Sequence, residues 1–122
     1  MRFLKRLEPY TYALLRVVAG FLFLFHGLQK LFGLFGGRTA ELVSLRGLAG
    51  VIELAGGTMI MIGLYAGPAA FVASGTMAFA YFLSHYPQGF WPIQNRGELA
   101  ALYCFVFLYI ATRGSGIWSV RK

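Results

Sequence analysis

Four long apolar stretches constrain the fold of this chain more than any other feature of its sequence. They lie at about 9–35, 42–64, 67–85 and 95–112. A helix needs roughly 20 mostly apolar residues to cross the hydrocarbon core of a bilayer, and each stretch has about that length. The sequence therefore predicts an all-α polytopic membrane protein, a bundle of four transmembrane helices that forms one domain over residues 1–122.

The composition agrees with a membrane protein. Hydrophobic residues make up 58% of the chain and charged residues 12%, whereas typical soluble domains carry about 25% charged residues. A soluble helical bundle would need polar faces at helical spacing, and the segment FVASGTMAFAYFL has none. The first stretch is too long, and too polar at its far end, for a cleaved signal peptide, so we expect it in the mature protein.

The basic residues predict the orientation in the membrane. The net charge is +7, and basic residues flank the first and last apolar stretches: Arg2, Lys5, Arg6, Arg113, Arg121 and Lys122. The positive-inside rule then places both termini in the cytoplasm. Four spans agree with this, because an even number returns the chain to the side on which it started. The charge is better explained by topology and contact with membrane lipids than by nucleic acid, because the chain has no nucleic-acid-binding signature.

Polar residues inside the apolar stretches are predicted to meet in the outer half of the bilayer. His26 and Lys30 are four residues apart and therefore share one face of the first helix. The convergent set is His26 and Lys30 in the first helix, Glu53 in the second, His85 at the end of the third, and Asn95, Arg96 and Glu98 at the start of the fourth. The helices run in alternating directions, so this placement on one side indicates a shared site.

The cost of burying charge gives the cluster two interpretations. An ionisable group at the centre of a membrane helix costs about 2.5–3.5 kcal/mol on insertion scales, so it normally pairs or lines a wet cavity. We expect Lys30 to pair with Glu53, and His85 with Glu98. Such pairs either line a functional pocket or only fix the helix register. The apolar neighbours of Glu53 favour the pocket, whereas the isolation of Arg16 favours a structural role.

Small residues predict where the helices pack most closely. Residues without bulky side chains let helix backbones approach each other in a membrane. They are Gly47, Gly50, Gly56, Gly57 and Gly63 in the second helix, and Ala66, Ala70, Ser74 and Ala78 in the third. We interpret these positions as packing surfaces and not as part of a site.

Several redox mechanisms are excluded or disfavoured by the residues present. A dithiol mechanism needs two cysteines, and the chain has only Cys104, for which we expect a structural role. No glycine-rich dinucleotide fingerprint is present, so a flavin or nicotinamide would belong to a partner. Haem bound by His26 and His85 is disfavoured because such histidine pairs are common without haem. A metal is disfavoured because the spacing of the His and Glu residues specifies none, and no metal ligand is assigned.

A quinone fits the cluster better than haem or a metal. Its ring oxygens need hydrogen-bond donors and a carboxylate that exchanges protons, while its tail stays in hydrocarbon. The predicted catalytic residues are His26 or Lys30, which would polarise a ring oxygen, and Glu53 or Glu98, which would relay a proton. The predicted cofactor-binding residues are Arg16, His85, Trp91 and Asn95. Trp91 is equally suited to an aromatic anchor at the membrane interface.

Three segments of the chain resemble the DoxX family of small bacterial four-helix membrane proteins. They are LRVVAGFLFLFHGLQKLFG, GVIELAGGTMIMIGLYAGPAA and SHYPQGFWPIQNRGELAALYCFVFLYIATRGSGIWSV. The resemblance implies an integral protein of the bacterial plasma membrane, related to small subunits of thiosulfate:quinone oxidoreductases. The residues that match the polar pattern of the family are Arg16, His26, Lys30, Glu53, His85 and Glu98. The resemblance implies the fold and no established reaction.

The expected function is that of a membrane component of a quinone-linked redox system, with a polar pocket in the outer half of the bundle. The alternative is a non-catalytic anchor for soluble redox enzymes, or a carrier of a lipid or small solute. The expected partners are membrane lipids and a soluble redox protein, and so small a bundle is suited to forming a homo-oligomer. Substitutions of the polar-cluster residues that preserve folding would leave the function of a scaffold intact but would damage a ligand site.

Overall fold

The described chain is helical. The computed structural model describes residues 1–34 and 44–122, and this part of the chain contains no β-strand. Its α-helices are α1 (Arg2–Arg6), α2 (Glu8–Phe32), α3 (Leu45–Ile62), α4 (Ala66–Ala80), α5 (Pro92–Asn95) and α6 (Glu98–Arg113). A π-helical turn, Tyr81–His85, and a 3-10 turn, Tyr86–Gln88, continue α4. The predicted all-α class is confirmed.

Three of the described helical segments are long and apolar enough to cross a membrane: Glu8–Phe32, Leu45–Ile62 and Ala66–Gln88. The helix α6 has 16 residues and rises about 24 Å at 1.5 Å per residue, which is less than the roughly 30 Å of a hydrocarbon core. A helical membrane bundle is therefore confirmed, and the fourth span stays a prediction.

The predicted helix limits are close to those observed. The third helix begins at Ala66 and reaches His85 through the π-turn, as expected. The fourth begins at Glu98, three residues late, because Pro92–Asn95 forms a separate short helix that ends at Arg96 in the left-handed conformation. The predicted end of the first helix at 35, and the start of the second at 42, lie outside the described residues.

Four glycines bring α2 and α3 into backbone contact. A Cβ atom added at Gly20 would lie 2.6 Å from the carbonyl oxygen of Gly57, and one at Gly57 would lie 2.8 Å from that of Gly20. A Cβ at Gly27 would lie 2.7 Å from the carbonyl oxygen of Gly50. Side chains cannot be accommodated at such distances, so only glycine allows this spacing. We call these four residues the glycine seam.

Small residues also line the contact between α4 and α6. Ala66, Ala70 and Ser74 are buried, as the small-residue pattern predicted, whereas Ala78 is only partly buried. The hydroxyl of Ser74 donates to the carbonyl oxygen of Cys104 at 2.7 Å. The half-buried Cys104 thus packs at a helix contact, in agreement with the structural role expected for it.

The C-terminal segment wraps around Arg16, which is fully buried. Its Nε donates to the carbonyl oxygen of Ile60 at 3.0 Å. Its other guanidinium nitrogens donate to the carbonyl oxygens of Ser115, Ile117 and Trp118. The guanidinium therefore ties α2 to the end of α3 and to the segment that follows α6.

The same segment then covers the turn between α3 and α4. The backbone N–H of Val120 donates to the carbonyl oxygen of Ile62, and that of Arg121 donates to Gly63. The N–H of Tyr65 in turn donates to the carbonyl oxygen of Arg121 at 2.8 Å. These bonds satisfy backbone groups that a helix end leaves without partners.

The glycine seam predicts a contrast between two neighbouring substitutions. Gly57→Ala would press a methyl group against the backbone of α2, so we expect it to destabilise the protein by about 1–3 kcal/mol. A Cβ at Gly56 would meet no atom within 4 Å, so Gly56→Ala should be neutral or stabilise by up to about 1 kcal/mol through helix propensity. Thermal unfolding in detergent, followed by circular dichroism, measures both. Equal unfolding temperatures for the two variants would contradict the seam.

Candidate functional site

A cavity of about 220 Å³ lies among α2, α3, the end of α4 and the start of α6. Five polar residues line it: His26, Lys30, Glu53, His85 and Arg96. Its apolar wall is formed by Phe23, Met77, Ala80, Leu99, Ala100 and Tyr103. The structure thus brings together four of the predicted site residues, His26, Lys30, Glu53 and His85.

The predicted ion pair between Lys30 and Glu53 is confirmed. The ammonium of Lys30 contacts Oε1 of Glu53. The Lys30 side chain is 23% exposed, whereas that of Glu53 is 1% exposed. Oε2 of Glu53 is buried and has no hydrogen-bond partner among the described residues. Half of this carboxylate is therefore left unsatisfied at the wall of the cavity.

His26 lies one helical turn before Lys30 and faces an aromatic wall. Its ring meets that of Tyr103 edge to face, with the ring centroids 6.1 Å apart. Tyr103 stacks on Phe107 with a centroid distance of 5.3 Å, and both contact the fully buried Phe23. A flat ring in the cavity would thus meet both aromatic surface and polar groups.

His85 is held by the loop that connects α4 to α6. It ends the π-turn, and such turns are frequent at functional sites. Its Nδ1 lies 3.1 Å from the carbonyl oxygen of Asn95. A carbonyl only accepts, so Nδ1 carries the hydrogen and, in the neutral ring, Nε2 is an acceptor.

Asn95 organises this loop from a fully buried position. Its Nδ2 donates to the hydroxyl of Tyr81 at 3.1 Å and to the carbonyl oxygen of Gly89 at 2.9 Å, and its Oδ1 accepts from the N–H of Gly97. These contacts support a role for Asn95 in positioning His85. Its predicted role in binding a cofactor stays a prediction.

Arg96 and Tyr103 line the cavity but were not among the residues predicted to act in catalysis or cofactor binding, although Arg96 belonged to the convergent polar set. Arg96 has φ of 60°, a conformation that is unfavourable for a residue with a side chain. Such strain is often retained at functional sites. Ala100 and Tyr103 are three residues apart and share one face of α6, a spacing that could have indicated Tyr103. Arg96 precedes this helix, so helical spacing does not account for its position.

Besides Asn95, three predicted site residues do not line the cavity. Trp91 is 60% exposed, and Arg16 is engaged by backbone carbonyls of the C-terminal segment. Glu98 is exposed and lines a shallow groove with Pro92, Leu102 and Phe105. The expected pairing of His85 with Glu98 is wrong, because the π-turn and the loop direct His85 to the backbone of Asn95. The predicted roles of these three residues in catalysis or binding stay predictions.

The cavity adjoins a groove between α2 and α6. Three of its lining residues, His26, Leu99 and Tyr103, also line this groove, together with Leu22, Phe25 and Gln29. Leu22 and Leu99 are about half exposed, and in a membrane such apolar surface contacts lipid. An amphipathic molecule in the bilayer could therefore reach His26 from the side.

The groups at the cavity suit hydrogen bonding and proton exchange. Lys30 and Arg96 can only donate, the ionised Glu53 can only accept, and each histidine ring can do both. Within residues 1–34 and 44–122, no three His, Cys, Asp or Glu side chains converge as a metal site would require.

Comparison with known proteins defines the class of this helical membrane protein. The DoxX family model matches residues 11–86. An uncharacterized protein of Haemophilus influenzae is 40% identical over 123 residues, which cover 95% of this chain and 92% of that protein. No solved structure matches the chain. The chain belongs to the DoxX family. The matched residues include His26, Lys30, Glu53 and His85, but not Arg96 or Tyr103.

The ion pair at the cavity should be strongly coupled. Lys30→Met leaves the buried Glu53 carboxylate without its cation, so we expect a loss of about 3 kcal/mol in unfolding free energy. Adding Glu53→Met removes the stranded charge and should restore most of that loss. The measurement is a double-mutant cycle by thermal unfolding in detergent.

The second ion pair of the described residues is a matched control. Arg113 contacts Glu8 at 2.7 Å, and both side chains are at least one-third exposed. Glu8→Gln should therefore cost less than about 1 kcal/mol. If the Lys30 and Glu53 substitutions were simply additive, the pair would have no energetic coupling and our account of the cavity wall would fail.

Proposed function

We propose that this DoxX protein binds the head group of a quinone in the cavity and acts as the membrane component of a redox system. The observation that carries the proposal is the half-satisfied carboxylate of Glu53, which lies among hydrogen-bond donors beside an aromatic wall. A buried polar atom without a partner calls for an explanation, and a polar head group bound in the cavity would supply the missing partner.

The size and openness of the cavity support a head group and not a whole lipid. Its 220 Å³ is smaller than the roughly 300–1,000 Å³ of pockets that enclose a drug-sized ligand. A ring could stack near Tyr103 and Phe23, while an isoprenoid tail lay in the groove beside Leu22 and Leu99. This division matches a molecule that is polar at one end and apolar at the other.

The residues of the cavity suggest distinct roles. Lys30 and His26 are placed to donate hydrogen bonds to a ring oxygen, and Glu53 to hold and release a proton. Glu98, the other predicted proton relay, does not line the cavity. Its position therefore favours Glu53 as the residue that relays the proton. A bound quinone supplies the redox chemistry, since it takes up two electrons and two protons to become a quinol.

The electrons would come from a soluble reductase that docks on the membrane protein. The exposed basic residues near the two termini, Arg2, Lys5, Arg6, Arg121 and Lys122, suit an acidic protein surface. The same residues suit a non-catalytic anchor, which remains the second candidate function. The two candidates differ at the cavity, because an anchor needs no head-group site.

Quinone binding tests the two candidates directly. We expect the protein purified from native membranes to retain quinone, detected by mass spectrometry, and to bind decylubiquinone when depleted. His26→Ala with Glu53→Gln should weaken that binding at least tenfold, since it removes one donor to the ring oxygen and the ionised carboxylate that holds the second donor, Lys30, in place. Glu8→Gln, at an exposed residue outside the cavity, is the matched control and should leave it unchanged. Unaltered binding in the double variant, with folding intact, would favour the anchor.

The orientation is a separate part of the proposal. Arg113, at the end of α6, contacts Glu8, at the start of α2, which supports both termini on one side of the membrane. The positive-inside rule makes that side the cytoplasm of a bacterium, with the plasma membrane as the location. A fluorescent protein that matures only in the cytoplasm should therefore fluoresce when fused to either terminus, and alkaline phosphatase should be inactive there. The opposite pattern would reverse the topology.

A further inference from the structure

The two oxygens of the Glu53 carboxylate are in different situations. Oε1 is paired with the ammonium of Lys30. Oε2 is buried and has no partner among the described residues. Glu53 lines the cavity, so a head group bound there would lie next to the carboxylate whose Oε2 has no partner.

The chemistry of a carboxylate restricts what can satisfy Oε2. In its ion pair with Lys30 the group is ionised, and an ionised carboxylate accepts hydrogen bonds but cannot donate them. A carbonyl oxygen placed beside Oε2 would bring two acceptors together and would leave both without a hydrogen. The missing partner must therefore carry an O–H or N–H group.

The other cavity groups set a second requirement. Lys30 and Arg96 only donate, so they need an acceptor on the same head group. A phenolic hydroxyl meets both requirements, because it donates its hydrogen and accepts through its lone pairs. A quinone carbonyl meets only the second.

We propose that the cavity selects the hydroxyl-bearing form of an aromatic head group, so that the quinol binds more tightly than the quinone, through a hydrogen bond from a ring hydroxyl to Oε2 of Glu53. This inference rests on the proposed function. It adds that the site is complementary to the reduced state, and it makes Glu53 the residue that distinguishes the two states.

Preferential binding of the quinol has a consequence for the redox potential. A site that binds the reduced form more tightly makes the bound quinone easier to reduce. For a two-electron couple, each tenfold ratio of affinities raises the reduction potential by about 30 mV. A soluble donor would then deliver electrons more readily to the bound quinone than to the free pool.

Two pairs of probes test the proposal on the unmodified protein in detergent. The first is decylubiquinol and decylubiquinone, titrated anaerobically and followed by fluorescence quenching. The second is 4-nonylphenol and its methyl ether 4-nonylanisole, which differ in the hydroxyl hydrogen and undergo no redox change under these conditions. We expect the hydroxyl-bearing member of each pair to bind at least tenfold more tightly.

Variants then assign the preference to Glu53. Glu53→Gln should reduce the ratio of the two affinities several-fold, because an amide is a weaker acceptor and presents its own donors. Glu8→Gln carries the same chemical change at an exposed residue and should leave the ratio unchanged. If Glu53→Gln does not fold, the nonylphenol and nonylanisole titrations of the unmodified protein still decide the proposal.

The outcomes separate this inference from the proposed function. Equal binding within each pair, or tighter binding of the quinone, would overturn the selection of the hydroxyl form and leave a quinone site in place. Binding of neither quinone nor quinol would overturn both. A preference that persists unchanged in a folded Glu53→Gln variant would show that another group makes the hydrogen bond, and would also overturn the proposal.

Discussion

The close approach of α2 and α3 is the constraint on which the candidate site depends. Gly20 faces Gly57, and Gly27 faces Gly50, and a Cβ at Gly20, Gly27 or Gly57 would lie within 3 Å of the backbone of the other helix. The two antiparallel helices are therefore held at backbone contact in a fixed register. Lys30 and Glu53 each lie three residues beyond a glycine of this contact, Gly27 and Gly50, but in opposite directions because the helices are antiparallel. The long side chain of Lys30 spans this offset and reaches Glu53.

The ion pair then determines the chemistry of the cavity. Lys30 reaches Oε1 of Glu53 from the neighbouring helix, which places a carboxylate in a membrane bundle without an isolated charge. The pairing uses only one of the two oxygens. Lys30, Arg96 and Glu53 thus form a polar part of the cavity wall beside the aromatic residues Phe23 and Tyr103.

The sequence allowed the elements that depend on hydropathy and helical periodicity to be predicted. The all-α bundle, the approximate helix limits and the pairing of Lys30 with Glu53 follow from apolar length and from the cost of unpaired charge. Gly20 and Gly27 were missed, although their seven-residue spacing matches that of Gly50 and Gly57. Neither spacing shows which glycines face each other, and Gly56, with open space around it, belongs to no such contact.

Parts of the site that depend on irregular backbone could not be predicted in the same way. The π-turn before His85 and the left-handed residue Arg96 change the direction of the chain between α4 and α6. The pairing of His85 with Glu98 was predicted on the assumption that both helices are regular. The actual turns bring His85 to the carbonyl of Asn95, direct Arg96 to the cavity and leave Glu98 exposed.

Arg16 and Glu53 show how buried charge separates structural from functional roles in this bundle. The nitrogens of the Arg16 guanidinium are engaged by the carbonyl oxygens of Ile60 and of the C-terminal segment. Those bonds satisfy it and leave little capacity for a ligand. Glu53 is equally buried but has a free oxygen at a cavity wall. A fully satisfied buried group stabilises one arrangement of the chain, whereas a half-satisfied one gains by binding a partner. This difference, more than burial or charge alone, makes Glu53 the centre of the candidate site and Arg16 part of the scaffold.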